Sequence, residues 1–431
     1  MILCPRAAAF LACLAWLAAP HAAAESGANP SLAKEVETYL AATAPSAPAR
    51  TMAVEWKPGK GLTLSTADGA FSMHVGGRAF WDNVWISSDD YPSADTEDAS
   101  YFRTVRLEAD GTIFTNAFYK LQVDFAGGTV ALKDVYMGLK KLGVAGMFTA
   151  GHFKQPLSLE ELTSSRFISF MERSAATSAF APSREDGLML NNNFLADGML
   201  GVFVSLYRVT NDQGTATDDG SYSLALRICA FFLEDKDLNR VLHLGFGYSY
   251  ITAVDDTLQF RARPDIGTGP RFVDTGPFTA NEENLLNFEM TFLLRTVHVQ
   301  AEFYLADCGG AGGPEPTFTG WYVEVGWFVA GGKRHYSTDK KVVERPDIDR
   351  NFHAGGGGAG AWQLCLRYDT IDLTDGGIAG GVQDCVTIGA NWYWNPHMRV
   401  MFNLIFADVS DGGPLGGGDL TIFGTRFQFD F

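Results

Sequence analysis

Apolar and polar residues alternate with a period of two along most of the chain after Gly61. The alternation is regular over Tyr119–Phe125 (YKLQVDF), Leu286–Phe292 (LNFEMTF), Val297–Phe303 (VHVQAEF) and Trp362–Tyr368 (WQLCLRY). A period of two places successive side chains on opposite faces of a β-strand, so the pattern predicts many strands with one apolar face each. The pattern alone leaves open whether those faces pack inside a soluble sandwich or face lipid outside a barrel.

The connections between the strands alternate between long and short. Long ones such as Pro156–Asp186 and Ala253–Asn284 are interleaved with tight turns such as Thr115–Asn116. This asymmetry is typical of outer-membrane barrels, which have short periplasmic turns and longer outer loops. Two connections depart from it: Gly127–Gly128 is short where a loop is expected, and Gly331–Gly358 is long where a turn is expected. The alternation predicts an all-β fold, a transmembrane antiparallel β-barrel of about 16 strands with both chain ends on the periplasmic side.

The last strand, Asp419–Phe431, carries three aromatic side chains on one face, Phe427, Phe429 and Phe431. A soluble protein rarely ends on such a strand, because an exposed apolar edge promotes aggregation, whereas closing a barrel removes the edge. A terminal Phe preceded by aromatic residues two and four positions earlier also resembles the signal read by the outer-membrane barrel-assembly machinery. We therefore expect these residues to be a membrane-insertion signal.

The first residues indicate export. Arg6 precedes an apolar run, Ala7–Ala19, and a small-residue cleavage site ends at Ala24, so residues 1–24 are predicted to be a cleaved signal peptide. Residues 25–60 are predicted to be a periplasmic segment with a short helix at Ser31–Ala42 and a linker that contains prolines. A disordered tail remains an equal alternative there. Residues 61–431 are the predicted barrel, located in the outer membrane of a Gram-negative-type cell and in contact with its lipid.

Composition excludes several classes of function. The net charge of −17 argues against nucleic acid as a partner. The chain has no G-x-S-x-G or H-E-x-x-H motif, and its eight histidines show no ligand spacing, so no enzyme activity, metal or cofactor is expected. Four cysteines remain after the signal peptide, too few for a disulfide scaffold in so long a chain. A Cys365–Cys385 bridge and free cysteines both stay open.

Six segments of the chain together resemble one known protein family. They are Gly61–Arg78 (GLTLSTADGAFSMHVGGR), Phe102–Leu107 (FRTVRL), Tyr119–Tyr136 (YKLQVDFAGGTVALKDVY), Gly151–Arg173 (GHFKQPLSLEELTSSRFISFMER), Ala179–Arg184 (AFAPSR) and Phe260–Gly276 (FRARPDIGTGPRFVDTG). They resemble the phosphate-selective porin O and P family, and the resemblance implies a homotrimer of sixteen-stranded barrels that carries inorganic anions past lumenal arginines. Its implied counterparts here are Arg103, Arg261, Arg263 and Arg271.

One position departs from the family pattern. The family often has an arginine doublet where this chain has Arg103-Thr104. Strand parity with Arg106 and Glu108 turns Thr104 inward. One lumenal cation of the family would therefore be missing here.

Strand parity places charged residues in the aqueous lumen, because a basic side chain facing hydrocarbon costs roughly 2–4 kcal/mol. The basic residues so placed are Arg106, Lys120, Arg227, Arg295, Arg367, Arg399 and Arg426. The long loop Pro156–Asp186 is too apolar to remain in solvent, so we expect it to fold inward as a constriction. Its cations would meet anions there, or pair with its own acids; the residues concerned are Lys154, Arg166, Arg173, Arg184, Glu160 and Glu161.

These inferences favour a porin, a water-filled channel for passive diffusion of small polar solutes, with anions such as phosphate preferred. A non-selective channel and an outer-membrane tether or adhesin with a plugged lumen remain the alternatives. Conductance separates the last of these from the others.

Overall fold

The computed structural model describes Lys34 and residues 52–57, 61–91, 96–216, 221–410 and 412–431. The chain divides into two units, Met1–Thr51 and Met52–Phe431. The predicted signal peptide and the predicted helix at Ser31–Ala42 lie outside the described residues, apart from Lys34, and stay predictions. Among the described residues, no helix is both long and apolar enough to cross a membrane.

Most of the second unit is β-structure. Two short helices, α1 (Leu159–Leu162) and α2 (Ala175–Phe180), lie in the long connection between β7 and β8. The strands are β1 (Met52–Lys57), β2 (Gly61–Thr66), β3 (Phe71–Ser87), β4 (Ala99–Ile113), β5 (Ala117–Asp124), β6 (Ala131–Leu139), β7 (Met147–Lys154), β8 (Arg184–Leu195), β9 (Leu200–Arg208), β10 (Ser223–Asp235), β11 (Arg240–Thr252), β12 (Thr257–Leu258), β13 (Arg261–Ala262), β14 (Val273–Asp274), β15 (Phe278–Thr279), β16 (Glu282–Leu294), β17 (Val297–Gly309), β18 (Thr317–Ala330), β19 (Gly332–Ser337), β20 (Val342–Ile348), β21 (Ala361–Asp375), β22 (Ile378–Asn395), β23 (Met398–Ser410) and β24 (Gly418–Asp430).

Sixteen of these strands close into one antiparallel barrel, as the sequence predicts. Strands β3 to β11 pair in chain order, β11 pairs with β16, β16 to β18 pair in order, β18 pairs with β21, and β21 to β24 pair in order. The barrel closes where β24 pairs with β3, from Thr421↔Ser87 to Asp430↔Arg78. Closure leaves none of these sixteen strands with an unpaired edge. Hairpin β1–β2 adds to β3 beyond the end of β24.

The two faces of each strand are inverted relative to a soluble protein. On β21, Leu364 and Leu366 are 48% and 52% exposed, whereas Gln363 and Arg367 are fully buried. Large apolar side chains are exposed in the same way on the outward faces of most other barrel strands, though not on β7 or β9. Such an outward apolar surface around a polar interior is the arrangement of a transmembrane barrel. The alternative of a soluble sandwich is therefore wrong.

The terminal aromatic residues lie on this outward face, with exposures of 43% for Phe427, 46% for Phe429 and 38% for Phe431. The ring of Phe427 stacks on that of Trp81 across the closing seam, with centroids 5.5 Å apart. The backbone of Phe431 exchanges two hydrogen bonds with Gly77. The last residue therefore belongs to the seam itself, and its role as an insertion signal stays a prediction.

The connection between β7 and β8, residues 155–183, is named the inner loop because it lies inside the barrel. The Glu302 carboxylate on β17 accepts hydrogen bonds from the backbone N–H of Leu159 (3.2 Å) and Glu160 (2.6 Å). Asp369 on β21 accepts another from the Ala175 N–H at 3.2 Å. Strands β17 and β21 lie across the barrel from β7 and β8, so the loop crosses the interior.

The unexpectedly long connection between β18 and β21 also enters the barrel, from the end with the tight turns. Its strands β19 and β20 form a hairpin. The hydroxyl of Tyr336 lies 2.7 Å from His243 Nδ1 on β11, and the Arg345 guanidinium binds Asp430 on β24. The connection Gly331–Gly358, which is long where a tight turn is expected, therefore contains an inward hairpin.

Part of the interior is packed with apolar side chains. The connection between β11 and β16 contributes Phe260 and Phe272, the inner loop contributes Phe180, and the wall contributes Tyr304 and Phe318 to a single buried cluster. The four described cysteines are buried and free, so Cys365 and Cys385 form no bridge. The cluster also includes residues of β3, β9 to β11 and β24, and open space lies along β3 to β8.

Candidate functional site

The open space is a cavity of about 1100 Å³ between the inward faces of β3 to β8, the inner loop and the inward hairpin. Fourteen basic and six acidic side chains line it. The basic ones are Arg78, Arg103, Arg106, Lys120, Lys133, Lys140, Lys154, Arg166, Arg173, Arg184, Arg227, Lys340, Arg345 and Arg426. The excess of positive charge is opposite in sign to the −17 of the whole chain, so the acidic residues of the protein lie mostly elsewhere.

A β-bulge explains how two consecutive residues reach the cavity. Phe80 pairs with Thr104 and Trp81 pairs with Phe102, which leaves Arg103 as the extra residue of β4. Such a bulge breaks the period of two and re-aims a side chain. Arg103 and Thr104 therefore both line the cavity. The alternation of strand faces correctly predicts that Thr104 faces inward. It cannot also predict an inward Arg103, because consecutive residues of a regular strand face opposite ways.

Arg103 is held by the inner loop. Its Nε lies 2.8 Å from Glu172, and Arg426 Nη2 lies 2.7 Å from the same carboxylate. Burial opposes ionisation of Glu172, yet the charges of Arg103 and Arg426 together lower its pKa to about 2. The carboxylate therefore stays charged and ties the loop to β4 and β24 at the same time.

A second acid of the inner loop, Glu161, pairs with two of the predicted anion contacts. Lys154 Nζ lies 3.2 Å and Arg173 Nε 3.0 Å from its carboxylate. Burial raises the pKa of Glu161, but the charges of these two cations lower it by more, so its pKa is lower than usual. Arg173 also donates to the backbone carbonyls of Glu160 and Thr163. Both cations thus hold the loop in shape as well as lining the cavity.

Two wall acids pair with the other predicted contacts. Asp134 lies 3.3 Å from Lys120 and 2.7 Å from Arg184. Glu108 lies 3.5 Å from Lys120 and 3.0 Å from Arg166. The two carboxylates thus share three cations, Lys120, Arg166 and Arg184, so one positive charge remains after pairing.

Arg106 has a partner of its own, because its Nε lies 2.6 Å from Asp124. Both side chains belong to neighbouring strands, β4 and β5, whose register places Arg106 opposite Asp124. The pair thus leaves Arg106 on the cavity wall with its charge largely compensated.

Arg78 lines the cavity without a carboxylate partner among the described residues. Its Nη1 donates to the hydroxyls of Ser164 (3.2 Å) and Ser165 (3.3 Å) on the inner loop. Arg166 Nε lies 3.3 Å from the same Ser164 hydroxyl. Sequence reasoning missed Arg78. The inward parity of β3 was the available signal, but only the structure brings it to two serines eighty-six and eighty-seven residues later.

Glu160, predicted for the constriction, does not line the cavity. Its carboxylate accepts from the N–H and hydroxyl of Ser174 and lies 3.4 Å from Arg367. Burial raises its pKa, although Arg367 acts in the opposite direction. Glu160 is thus a buried anchor of the loop against the wall.

The three arginines of the connection between β11 and β16 lie outside this cavity. None of Arg261, Arg263 and Arg271 has a carboxylate partner among the described residues. Burial and the nearby charges of Arg103 and Arg261 lower the pKa of Arg263. A Cβ at Gly267 would lie 2.7 Å from Arg103 Nε, so this connection approaches Arg103 closely. Arg263 is therefore a neighbour of the cavity on its Arg103 side.

Other lumenal assignments from parity change. Arg367 and Arg399 face inward but are buried under the inner loop, where Arg399 donates to the Ile168 carbonyl at 2.9 Å. Arg295 is exposed in the tight turn between β16 and β17, with φ of 56°. Parity predicts only the face of a strand, so it cannot distinguish a wet position from a covered one or from a turn.

The chain is similar in sequence to known porins. The family model described as "Phosphate-selective porin O and P" matches residues 73–431. Porin O of Pseudomonas aeruginosa is 23% identical over 86% of this chain and 91% of its own length. An uncharacterized protein of Caulobacter vibrioides is 29% identical over 76% of this chain and 68% of its own length.

Solved porin structures share the fold. An anion-selective porin from Comamonas acidovorans superposes with a TM-score of 0.54 at 13% identity, covering 84% of this chain and 100% of that one. OmpF of Salmonella typhi, solved in complex with daunomycin, gives the same TM-score at 12% identity, over 84% of this chain and 98% of that one. At such identities the likeness concerns the barrel alone.

Proposed function

The chain belongs to the phosphate-selective porin O and P family, and on that premise we propose that it is an outer-membrane channel for passive diffusion of small anions such as phosphate. One observation carries the proposal. A chain with a net charge of −17 lines its cavity with fourteen basic and only six acidic side chains. Charge of one sign along a narrow aqueous passage raises the local concentration of the opposite ion. The cavity therefore favours anions.

The central anion subsite in this proposal is formed by Arg78, Arg166, Ser164 and Ser165. Two guanidinium groups meet at one serine hydroxyl, and Arg78 lies against both serines. Guanidinium groups bind tetrahedral oxyanions through paired hydrogen bonds, and hydroxyl groups can add a third donor. Arg78 has no carboxylate within ion-pair distance among the described residues, so its charge is available to a passing anion.

The remaining cations extend the path on either side. Arg261, Arg263 and Arg271 would collect anions before Arg103, and Lys120, Lys133 and Lys140 would pass them on. Arg103, Lys120 and Lys133 already share carboxylates, so their contacts with a passing anion are weakened. Conduction requires binding that is favourable enough for entry yet weak enough for release, and a series of weak sites meets both conditions.

Planar-bilayer recording of the purified protein tests the proposal. We expect open-channel steps, and a reversal potential of anion-selective sign in a gradient of potassium chloride. Addition of phosphate is expected to reduce the chloride current, because the two anions compete for the same arginines. A cation-selective reversal potential would refute the anion channel. The absence of open-channel steps would favour the tether or adhesin with a plugged lumen.

We further propose a homotrimer whose subunits meet along the shorter part of the wall. Strands β5 and β7 have 8 residues and β6 and β9 have 9, whereas β16 to β18 have 13 or 14. A tilted strand needs about 9–11 residues to span a bilayer. The shorter strands do not span the apolar layer of the membrane fully, so we expect a neighbouring subunit to cover them. The rest of the barrel contacts outer-membrane lipid. Light scattering in detergent measures the stoichiometry, and a monomeric mass would contradict it.

A further inference from the structure

Three metal-ligating side chains converge on the inward wall, away from the proposed anion subsite. Cys229 lies on β10, His243 on β11 and Glu289 on β16, and one ligand atom of each lies within 4.8 Å of the others. All three residues are buried, with exposures of 2%, 0% and 3%. The chemistry of a thiol, an imidazole and a carboxylate at this spacing is that of a transition-metal site.

The strand register explains how the three groups meet. Cys229 pairs with Gly245 on β11, and Gly245 pairs with Glu289 on β16, so Cys229, Gly245 and Glu289 form one row across the sheet. His243 lies on β11 two residues before Gly245. A Cβ on Gly245 would lie only 2.2 Å from Glu289 Oε1. The glycine in the middle of the row therefore leaves room for the Glu289 side chain to lie over β11. There its Oε1 is 2.9 Å from Nε2 of His243.

The hydrogen bonds around the cluster leave ligand atoms unused. Arg227 binds Glu289 Oε1, with Nε at 2.8 Å and Nη2 at 2.6 Å. Glu289 Oε2 is buried with no hydrogen-bond partner among the described residues. The Cys229 thiol, also buried, has no hydrogen bond to any described residue. A buried carboxylate oxygen without a partner is costly, and a cation between Oε2, the thiol and the imidazole would remove that cost.

The imidazole also has the support that a metal ligand needs. Tyr336, on the inward hairpin, places its hydroxyl 2.7 Å from His243 Nδ1. This hydrogen bond at Nδ1 fixes the orientation of the ring. The other nitrogen, Nε2, faces Glu289 Oε1 at 2.9 Å, and a bound metal ion would replace that hydrogen bond. The contact also couples the cluster to the hairpin that enters from the turn end of the barrel.

From this geometry we propose that Cys229, His243 and Glu289 bind a zinc ion. Zn²⁺ takes sulfur, nitrogen and oxygen ligands in tetrahedral sites, often with water in the fourth position. The thiol loses its proton on binding, and Arg227 stays on Glu289 Oε1 while Oε2 faces the metal. A second cluster, Asp265, Asp369 and Cys385, does not qualify, because it has no histidine and Arg367 lies between its two carboxylates.

Zinc content tests the site directly. Bound metal is removed from the folded full-length protein with a chelator, and the protein is then incubated with zinc chloride and separated from excess metal. Its zinc content is measured by inductively coupled plasma mass spectrometry. We expect about one zinc per chain in the wild type and less than about a tenth of that in Cys229→Ser. Cys308→Ser is the matched control, another buried inward cysteine, which should keep the wild-type content. Tyr336→Phe should weaken zinc binding roughly 10- to 100-fold.

The interpretation does not depend on whether one variant folds. Co²⁺ replaces Zn²⁺ in the wild type, and a thiolate-to-metal absorption band reports the Cys229 bond without any substitution. A wild type that holds no more zinc than Cys229→Ser, or that shows no thiolate band with Co²⁺, overturns the site and leaves a metal-free polar network. Neither result affects the conductance, so the channel proposal stands or fails separately.

Discussion

Replacing Arg78 with glutamine removes a cavity cation that has no carboxylate partner among the described residues. The substitution keeps an amide that can still donate to Ser164 and Ser165. The perturbation therefore changes charge more than packing. Arg78 is only 5% exposed, but its guanidinium lines the cavity and its Nη1 contacts the inner loop. We expect the variant to conduct chloride yet to bind phosphate less tightly.

The size of the effect follows from Coulomb's law. A guanidinium and a unit negative charge about 4 Å apart attract by about 1 kcal/mol in bulk water and about 4 kcal/mol at an effective dielectric constant of 20. The cavity contains water but has low-dielectric walls, so we take roughly 1–2 kcal/mol. Since about 1.4 kcal/mol corresponds to a factor of ten, the phosphate concentration that halves the chloride current should rise by roughly 5- to 30-fold.

The assay is the chloride current through single channels at increasing phosphate. Arg240→Gln provides the matched control, because it removes the same charge at the turn end, where Arg240 lies 3.7 Å from Asp235 and does not line the cavity. Heat-modifiable gel mobility verifies that each barrel is folded. A folded Arg78→Gln channel whose half-blocking phosphate concentration stays within about twofold of wild type would refute the subsite, since that is below 1 kcal/mol.

Three further predictions concern the inner loop and the closing seam. The pKa of Glu172 is lowered from 4.5 to about 2, so its ion pairs stabilise the fold by roughly 3 kcal/mol above pH 4.5 and lose this as the pH falls towards 2; the thermal midpoint should show that loss in wild type and not in Glu172→Gln. Glu302→Gln should weaken the two backbone hydrogen bonds that hold the inner loop, each worth roughly 1.5–3 kcal/mol, and increase open-channel current noise, with the exposed Glu315→Gln unchanged. Phe431→Ala should lower the fraction of protein assembled in the membrane more than Phe423→Ala, a similarly exposed outward aromatic within β24; equal fractions would argue against an insertion signal.

The barrel could be predicted from the sequence because the membrane imposes its own constraint on every strand. Lipid outside and water inside require alternation over each wall-spanning segment, and this one-dimensional pattern survives without any knowledge of contacts. The connection Gly331–Gly358 illustrates the strength of the signal. Its length contradicted the alternation of loops and turns, and the structure places an inward hairpin there.

The candidate site could not be predicted to the same depth, because alternation fixes only the face of a residue. Arg78 and Arg367 both face inward by parity, yet Arg78 lines an open cavity while Arg367 is fully buried between Glu160, Asp265 and Asp369. What separates them is the path of two long connections across the interior. That path depends on contacts between residues more than a hundred positions apart, which leave no local pattern in the chain.

Arg103 adds a different limit, since there the period of two itself fails. The bulge opposite Phe80 and Trp81 inserts one residue into β4 without a change in the polarity of its neighbours. A register shift of one residue turns every following side chain to the other face, so β4 keeps its outward apolar residues only because the bulge absorbs the extra position. The pairing of Arg103 with Glu172 then needs both the bulge and the inner loop. A cation that strict alternation would turn towards lipid becomes a cation of the lumen, and the charge of the passage depends on such local breaks as much as on the alternation that surrounds them.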